Sequence, residues 1–91
     1  MRYSILNPDS MHSIKHLVPG KVSHEHFQYL MALSRIRGKK INIALEEHLV
    51  YGKSRQEIFE FYDITPGYFS LKLNQVKQCS RMVWEMFRFY T

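Results

Sequence analysis

The sequence has very little cysteine and no long hydrophobic segment. Its 91 residues include one cysteine, Cys79, so no disulfide can form within a single chain. A lone cysteine favours a reducing compartment. No apolar run approaches the roughly 20 residues that span a bilayer, and the polar N-terminus, interrupted by Pro8, does not resemble a secretory signal. We therefore expect a cytoplasmic protein with no membrane partner.

Residue patterns typical of catalysis and metal binding are also absent from the sequence. There is no Gly-rich phosphate loop, no nucleophile motif and no catalytic pair of carboxylates, so we expect neither an enzyme nor a bound cofactor. His24 and His26, or His12 and His16, could act as metal ligands, but no cluster of Cys, Asp or Glu completes either site. We expect no metal, and interpret the glutamates at 46–47 as a solvated helix face.

What the sequence does have is an excess of positive charge and of apolar residues. Lys and Arg number 13 against 8 Asp and Glu, which gives a net charge of +5 and a pI near 9.5. This balance indicates an anionic partner: nucleic acid, an acidic membrane surface or an acidic protein. Hydrophobic residues make up 45% of the chain and aromatic residues 14%, which favours one folded domain over a disordered segment.

Helical periodicity predicts an all-α protein, a small bundle of about four to five helices behind an N-terminal arm. Residues 1–20 form the arm, which we expect to be partly flexible, with Leu17 and Val18 docking on the core. Ser23 can cap the first helix, and Gly38 ends the segment. The second helix is predicted from near residue 39 to a glycine at 52. Its buried stripe contains Ile41, Ala44, Leu45, His48 and Leu49, where the histidine is interpreted as a satisfied core or interface residue.

Residues 54–77 predict a helix-turn-helix, carried by the stretch SRQEIFEFYDITPGYFSLKL. Ser54 and Glu57 form a capping box for one helix, and Thr65 caps the next, which has a proline at its first position. Phe59 stands where many such motifs have a small residue, which indicates a looser crossing or a neighbour that fills the gap differently. The inner face is predicted to contain Ile58, Phe61, Tyr62, Ile64, Phe69 and Leu73.

The second helix of this motif carries few side chains that read base sequence. Its first turns offer bare backbone at Gly67, the ring of Tyr68 and the hydroxyl of Ser70, none of which makes bidentate contacts to guanine or adenine. The free amides behind Thr65 suit a phosphate oxygen. We therefore expect indirect readout, in which groove width and stiffness select A/T-rich double-stranded DNA.

Positive side chains near a narrow minor groove would support such readout. The run RIRGKK, residues 35–40, places four positive charges in six residues on an inter-helix loop, with a merely solvated loop as the alternative. Lys53 and Arg55, at the entry to the motif, are better placed to hold a phosphate. The predicted DNA-contacting residues are Arg35, Arg37, Lys39, Lys40, Lys53, Arg55, Thr65, Gly67, Tyr68, Ser70, Lys72, Asn74 and Lys77.

Beyond residue 66 no helix breaker occurs until the end of the chain. A seam spaced 4-3-4-3-4-3 comprises Phe69, Leu73, Val76, Ser80, Val83, Phe87 and Tyr90. One helix from 66 to about 90 and a break near 78–80 both fit this pattern. The end of the chain is too hydrophobic to be loose, and either folds back over the first helix or meets another subunit. We expect a dimer or higher oligomer, with an interface containing Trp84, Phe87, Phe89 and Tyr90.

Two long fragments and the closing FRFY resemble a known family. The fragments, LVPGKVSHEHFQYLMALSRI and INIALEEHLVYGKSRQEIFEFYDITPGYFSLKLNQV, are similar to the PapB-type regulators of bacterial fimbrial (adhesin) operons over residues 17–77. The resemblance implies an all-helical, nucleoid-associated transcription factor of an enteric bacterium. It also implies oligomers on A/T-rich repeats upstream of adhesin genes, minor-groove contacts, and DNA contact by Arg55 and the helix 66–77. The chain departs from the family in its first 16 residues and its short aromatic C-terminus.

Two other functions fit parts of the sequence. The first is a protein-interaction adaptor, in which residues 21–91 form a basic helical domain whose helix-turn-helix is structural and whose aromatic tail binds a partner. The leading interpretation instead assigns residues 21–91 as a DNA-binding domain. The second is binding to a membrane surface, which is disfavoured because basic and aromatic residues do not segregate along one amphipathic helix.

Overall fold

Four α-helices make up the part of the chain that the computed structural model describes, residues 16–90. They are α1 (His24–Ser34), α2 (Lys39–Leu49), α3 (Arg55–Tyr62) and α4 (Pro66–Phe87). No strand occurs within residues 16–90. The all-α fold with a helix-turn-helix is therefore confirmed, while most of the predicted arm lies outside the described residues.

The core lies where α1 and α2 pack against α4 and where α3 packs against α2. Each helix contributes an apolar face at helical spacing, so that burial rather than intrinsic propensity holds these short helices together. Phe69 on α4 and Leu45 on α2 are fully buried, and Ile58 is the buried residue of α3. His48 is buried among them, as expected for a satisfied core histidine.

The segment before α1 docks on the core through one buried leucine and a tight turn. Leu17 is buried, which confirms its predicted docking, and Val18 is half-buried. The amide of Gly20 donates to the carbonyl of Leu49 at 2.9 Å. A Cβ on Gly20 would lie 3.2 Å from the Cα of Gly52, and both residues have positive φ, so this crossing of two chain segments requires glycine.

Helix α4 is continuous through residues 78–80, so the break that the sequence allowed is absent. Its buried seam runs from Phe69 through Val76 to Ser80 and stops there. Val83, the next residue of the predicted seam, is 45% exposed, so the apolar spacing continues beyond the buried part of the helix. The eleven-residue α1 covers only part of the 22-residue α4, which leaves the last turns of α4 on the surface.

The prediction for one residue on the inner face of the helix-turn-helix is wrong. Phe61 was expected on the inner face and is 79% exposed, whereas Tyr62 is half-buried. Phe59 takes the inner position in its place and packs edge-on against the ring of Phe69, with centroids 5.5 Å apart. The large residue at 59 therefore fills the space itself, and α3 is rotated so that Phe61 points outward.

Candidate nucleic-acid interface

The turn between α3 and α4 reverses the chain through one left-handed residue. Asp63 has φ 52° and ψ 50°, a conformation that Asp tolerates better than most residues. Ile64 is buried beneath the turn, as predicted for a residue of the inner face. The Thr65 hydroxyl accepts a hydrogen bond from the amide of Tyr68 at 3.3 Å, and Pro66 begins α4. The start of α4 is thereby fixed at the protein surface.

Helix α3 begins with the predicted capping box. The Ser54 hydroxyl accepts from the Glu57 amide at 3.2 Å, and the Glu57 carboxylate accepts from the Ser54 amide at 2.9 Å. These hydrogen bonds stabilise the charged form and lower the pKa of the Glu57 carboxyl. The box places Arg55 at the first helical position, close to α4.

Phe69 sets the orientation of α4 against the rest of the motif. Its ring makes edge-to-face contacts with His48 on one side and Phe59 on the other, with centroids 5.5 Å apart in both pairs. The Nδ1 of His48 lies 2.8 Å from the carbonyl oxygen of Lys53, to which it can donate. Burial lowers the pKa of the His48 imidazole. The neutral ring therefore links α2, the start of α3 and α4.

Arg55 connects the two helices of the motif on the outer side of Phe69. Its Nη1 donates to the hydroxyl of Ser70 at 3.1 Å, and its guanidinium carbon lies 5.8 Å from the centroid of the Phe69 ring. A guanidinium has five N–H donors, and the Ser70 bond uses one of them. The exposed group keeps donors for a phosphate, so two residues predicted separately belong to one arrangement.

The outward face of α4 has the composition that the sequence predicted. Gly67, Tyr68 and Asn74 are exposed, while Lys72 is half-buried with its ammonium 5.6 Å from the centroid of the Tyr68 ring. A Cβ on Gly67 would meet no atom within 4 Å. The backbone at the start of α4 is therefore open to close approach, and the lysine adds positive charge beside it.

The basic run lies partly beside the start of α4. A surface groove of about 540 Å³ is lined on one side by Lys39 and Lys40 and on the other by Asp63, Thr65 and Tyr68. The two lysines occupy the first turn of α2, so the run is a loop only as far as residue 38. Positive charge is unfavourable at a helix N-terminus. An anion in this groove would meet both lysines and the N-terminus of α4, with the single carboxylate of Asp63 opposing them.

The loop that precedes these lysines is anchored by an apolar side chain and an amide. Ile36 is buried, and the Asn42 amide donates to the carbonyls of Ile36 and Gly38 at 3.2 Å and 2.7 Å. Arg35 and Arg37 flank the buried residue and are exposed. Neither arginine lines the groove beside the start of α4. Their contact with DNA therefore stays a prediction.

Lys53 has an acidic environment. Its ammonium lies 3.9 Å from the carboxylate of Glu47, and both side chains line a groove that also contains Glu57 and Glu60. The predicted phosphate contact of Lys53 is therefore less favoured than that of Arg55.

The interpretation of residues 46–47 as a solvated helix face also needs revision. Glu46 pairs with His24 at 2.8 Å, and both glutamates are half-buried.

Farther along α4 a second hollow contains two further candidates and one residue that the sequence analysis missed. Asn74 and Lys77 line it together with His16, and Arg81 lies one helical turn beyond the lysine. The spacing of residues 77 and 81 puts both charges on one face of a helix. The four-residue spacing from Lys77 could have identified Arg81 from the sequence as a further basic residue on this face.

The aromatic residues predicted for self-association lie at the far end of α4. Trp84 stacks on Phe87 with centroids 6.1 Å apart and an interplanar angle of 5°, and both are half-buried. Phe89 is 73% and Tyr90 is 77% exposed. Among the described residues the tail does not fold back to bury these two rings, which leaves an apolar surface.

Two further observations concern metals and membranes. Within residues 16–90 no group of three or more Cys, His, Asp or Glu side chains could hold a metal ion. His24 forms its pair with Glu46 instead, and His12 lies outside the described residues. None of the described helices is long and apolar enough to cross a membrane.

Comparison with known proteins identifies relatives over most of the chain. Residues 3–90 match the family model PapB, described as an adhesin biosynthesis transcription regulatory protein. The regulatory protein FanB of Escherichia coli is 39% identical over 70 residues, 77% of this chain and 71% of FanB. The pilus subunit operon regulatory protein PapB of E. coli is 33% identical over 75 residues, 82% of this chain and 72% of PapB.

A solved structure has the same fold. The crystal structure of E. coli FocB superposes with a TM-score of 0.79 at 28% sequence identity. The superposition covers 93% of this chain and 100% of the FocB chain. The similarity therefore extends beyond the helix-turn-helix to the whole arrangement of helices.

Proposed function

The chain belongs to the PapB family of adhesin biosynthesis transcription regulatory proteins, and we propose that it regulates adhesin genes by binding A/T-rich DNA as an oligomer. A transcription regulatory protein is not an enzyme, in agreement with the absence of catalytic motifs from the sequence. The proposal has three components: the face that contacts DNA, the readout of DNA shape, and self-association. Its site of action is the bacterial nucleoid, in the cytoplasm.

The observation that carries the proposal is the juxtaposition of Lys39 and Lys40 with the N-terminus of α4. The two lysines share a groove with Thr65 and Tyr68 and outnumber its one carboxylate, that of Asp63. Arg55 extends the positive charge to the other side of the motif, where it is held by Ser70. A helix N-terminus with convergent cations favours phosphate, and a DNA backbone offers phosphates at regular spacing.

The composition of this face supports shape readout over direct readout. The exposed residues at the start of α4 are glycine, tyrosine and, one turn on, leucine at 71. None of them makes the paired hydrogen bonds that distinguish base pairs in the major groove. A narrow A/T-rich minor groove attracts positive side chains through its negative potential. The exposed arginines of the loop, Arg35 and Arg37, are the candidates for this role.

Self-association accounts for the exposed apolar end of α4. Phe89 and Tyr90 would remain in water in a monomer, next to the stacked pair of Trp84 and Phe87. Large exposed apolar patches mark interaction surfaces in most soluble proteins. Weak individual DNA contacts become strong when neighbouring subunits bind together. We therefore assign phosphate contact to the start of α3 and α4 and subunit contact to the end of α4.

The experiment that tests the proposal is fluorescence anisotropy with two labelled duplexes of equal length, one A/T-rich and one G/C-rich. The titrations are run across a salt series, with and without a drug that occupies the minor groove. We expect tighter binding to the A/T-rich duplex, reversed by the drug. A subunit that touches about four phosphates gives a log–log salt slope near −4.

Each alternative gives a different result in this experiment. Preference for the A/T-rich duplex without an effect of the drug would move the readout to the major groove and to Tyr68, Ser70 and Asn74. Absence of salt-dependent binding to both duplexes would contradict DNA binding. The adaptor with a structural helix-turn-helix would then be the better interpretation.

A further inference from the structure

The outer side of α3 carries an acidic groove that the DNA-binding role does not use. The groove has a volume of about 530 Å³ and is lined by Glu47, Glu57, Glu60, Lys53, Phe61 and Tyr62, with Ile58 at its base. We call this surface the acidic groove. Its three glutamates stand against one lysine, in a chain whose net charge is +5. Negative charge is therefore concentrated here and would repel a DNA backbone.

The acidic groove also contains an exposed aromatic pair. The rings of Phe61 and Tyr62 meet edge to face with centroids 4.8 Å apart, and Phe61 is 79% exposed. A phenylalanine so exposed costs hydration free energy unless a partner covers it. Carboxylates around aromatic rings suit a partner that brings apolar and cationic side chains together.

Within residues 16–90, the end of α4 is a surface that has that chemistry. We define the C-terminal tail as residues 81–90, RMVWEMFRFY, with two arginines and one glutamate. Met82 is 65% and Phe89 is 73% exposed, and the Arg88 guanidinium lies 5.1 Å from the Phe89 ring centroid. Arg88 and Phe89 thus present a cation and a ring side by side.

We propose that the acidic groove of one subunit binds the C-terminal tail of a second copy of this chain. The cationic groups of the tail meet Glu57 and Glu60, and its apolar side chains cover Phe61. The more basic run at 35–40 is a less suitable occupant. It lacks exposed apolar side chains, and its lysines belong to the groove at the start of α4.

A subunit cannot fill the groove with its own tail while α4 is intact. Phe61 lies five residues before Pro66, close to the start of α4. The 22 residues of α4 separate that start from Arg88 by a rigid length of about 33 Å at 1.5 Å per residue. The tail therefore lies too far from the groove of its own chain, and a tail that fills the groove has to come from another copy.

This contact joins two different surfaces and so is heterologous. Heterologous contacts that do not close into a ring generate open rows of subunits, which would suit adjacent binding sites on DNA. The inference rests on the self-association in the proposed function and names the surface that receives the tail. DNA affinity for a single site does not depend on it.

Charge reversal tests the inference by sedimentation equilibrium of the full chain. Glu60 is exposed and does not belong to the capping box, so Glu60→Arg preserves the start of α3. We expect Glu60→Arg, and separately Arg88→Glu, to weaken self-association by about tenfold, and the double variant to recover most of that loss. Phe61→Ser should also weaken it, because it removes the exposed ring without touching the core.

Glu85→Arg is the matched control, since it changes the net charge as much as Glu60→Arg but on the tail itself. If the inference holds, Glu85→Arg leaves association unchanged or strengthens it. Equal weakening by both variants would indicate non-specific charge repulsion and overturn the inference. If Trp84→Ala weakens self-association and Glu60→Arg does not, the subunits associate through the tail but the acidic groove does not bind it. That result would overturn the inference and leave the proposed self-association intact.

Photo-crosslinking identifies the occupant directly. Phe61→p-benzoylphenylalanine is irradiated in a mixture of isotopically labelled and unlabelled chains. We expect crosslinks between the two kinds of chain that map to residues 81–90. Crosslinks within one chain to residues 1–15, or crosslinks between chains that map elsewhere, would overturn the inference. Single-site anisotropy on the A/T-rich duplex, unchanged in these variants, separates this outcome from a failure of DNA binding.

Discussion

Arg55 and Ser70, fifteen positions apart, are joined by a hydrogen bond of 3.1 Å from the guanidinium Nη1 to the hydroxyl Oγ. The bond ties the start of α3 to the second turn of α4 across the face of Phe69. Neither residue is buried deeply enough to matter for the core. The pair therefore orients a cation at the surface where DNA contact is proposed.

The first prediction concerns this pair. Arg55→Ala should weaken binding to every duplex and reduce the log–log salt slope by about 1, because one phosphate contact is lost. Ser70→Ala is the matched control: it removes the acceptor but keeps the charge, so affinity should fall while the slope is retained. Salt-dependent anisotropy measures both quantities. A loss confined to the A/T-rich duplex would instead indicate that Arg55 reads the sequence or its shape.

The second prediction concerns the open backbone at the start of α4. Gly67→Ala introduces a Cβ that meets no atom within 4 Å in the free protein. Thermal melting should show equal or greater stability, by up to ~1 kcal/mol, since alanine restricts the unfolded chain. DNA affinity should nevertheless fall by about tenfold, equivalent to ~1.4 kcal/mol, if phosphate approaches this backbone.

Gln75→Ala changes an exposed residue of α4 about two turns beyond Gly67 and is the control for Gly67→Ala. It should change neither stability nor DNA affinity appreciably. Full retention of affinity by Gly67→Ala would show that DNA does not approach the first turn of α4 closely. Phosphate in the groove beside the start of α4 would then have to bind on the side formed by Lys39 and Lys40.

The third prediction concerns pH. Burial lowers the pKa of His48 below the ordinary value of 6.5, against the opposing effect of its hydrogen bond to the Lys53 carbonyl, and the nearby charges of Arg55 and Lys77 lower it further. The unfolded chain therefore binds more protons than the folded one, and stability rises with pH in this range. The contribution is fully present above pH 6.5 and is lost as the pH falls from there through the folded-state pKa.

Urea unfolding at pH 7.5 and pH 5.5 measures this effect. The slope per group is at most about 1.4 kcal/mol per pH unit. His48→Gln, whose amide can still donate to the Lys53 carbonyl, should flatten the dependence. Burial lowers the pKa of His26 in the same direction, so the double variant with His26→Gln should be flatter still. If the unfolding free energy of His48→Gln depends on pH as steeply as that of the unmodified chain, other groups cause the pH dependence.

The local features of this fold were predictable from sequence because their determinants lie within three or four residues. The capping box of Ser54 and Glu57 and the Thr65 cap of α4 are both confirmed at the predicted positions. Each depends on side-chain chemistry and spacing that the chain order displays directly.

The features that the sequence did not predict depend on distant elements. Helical period places Phe59 and Phe61 on different faces of α3, but only the contact with Phe69 decides which one is inside. The heptad seam indicates which side of α4 is apolar. It does not indicate that the covering helix ends early and leaves Val83 exposed. Likewise, the groove that joins Lys40 to Tyr68 arises from how α2 and α4 cross.

The last prediction separates DNA contact from subunit contact. Trp84→Ala removes the stacked partner of Phe87 at the end of α4, far from the start of the helix. Single-site affinity should stay unchanged, whereas cooperativity on a duplex long enough for several subunits should fall about tenfold, as for an aromatic interface anchor. Tyr29→Ala, an exposed aromatic on α1, is the control and should change neither quantity. Arg55→Ala should give the opposite pattern, so equal loss of single-site affinity in both variants would contradict this division between the two ends of α4.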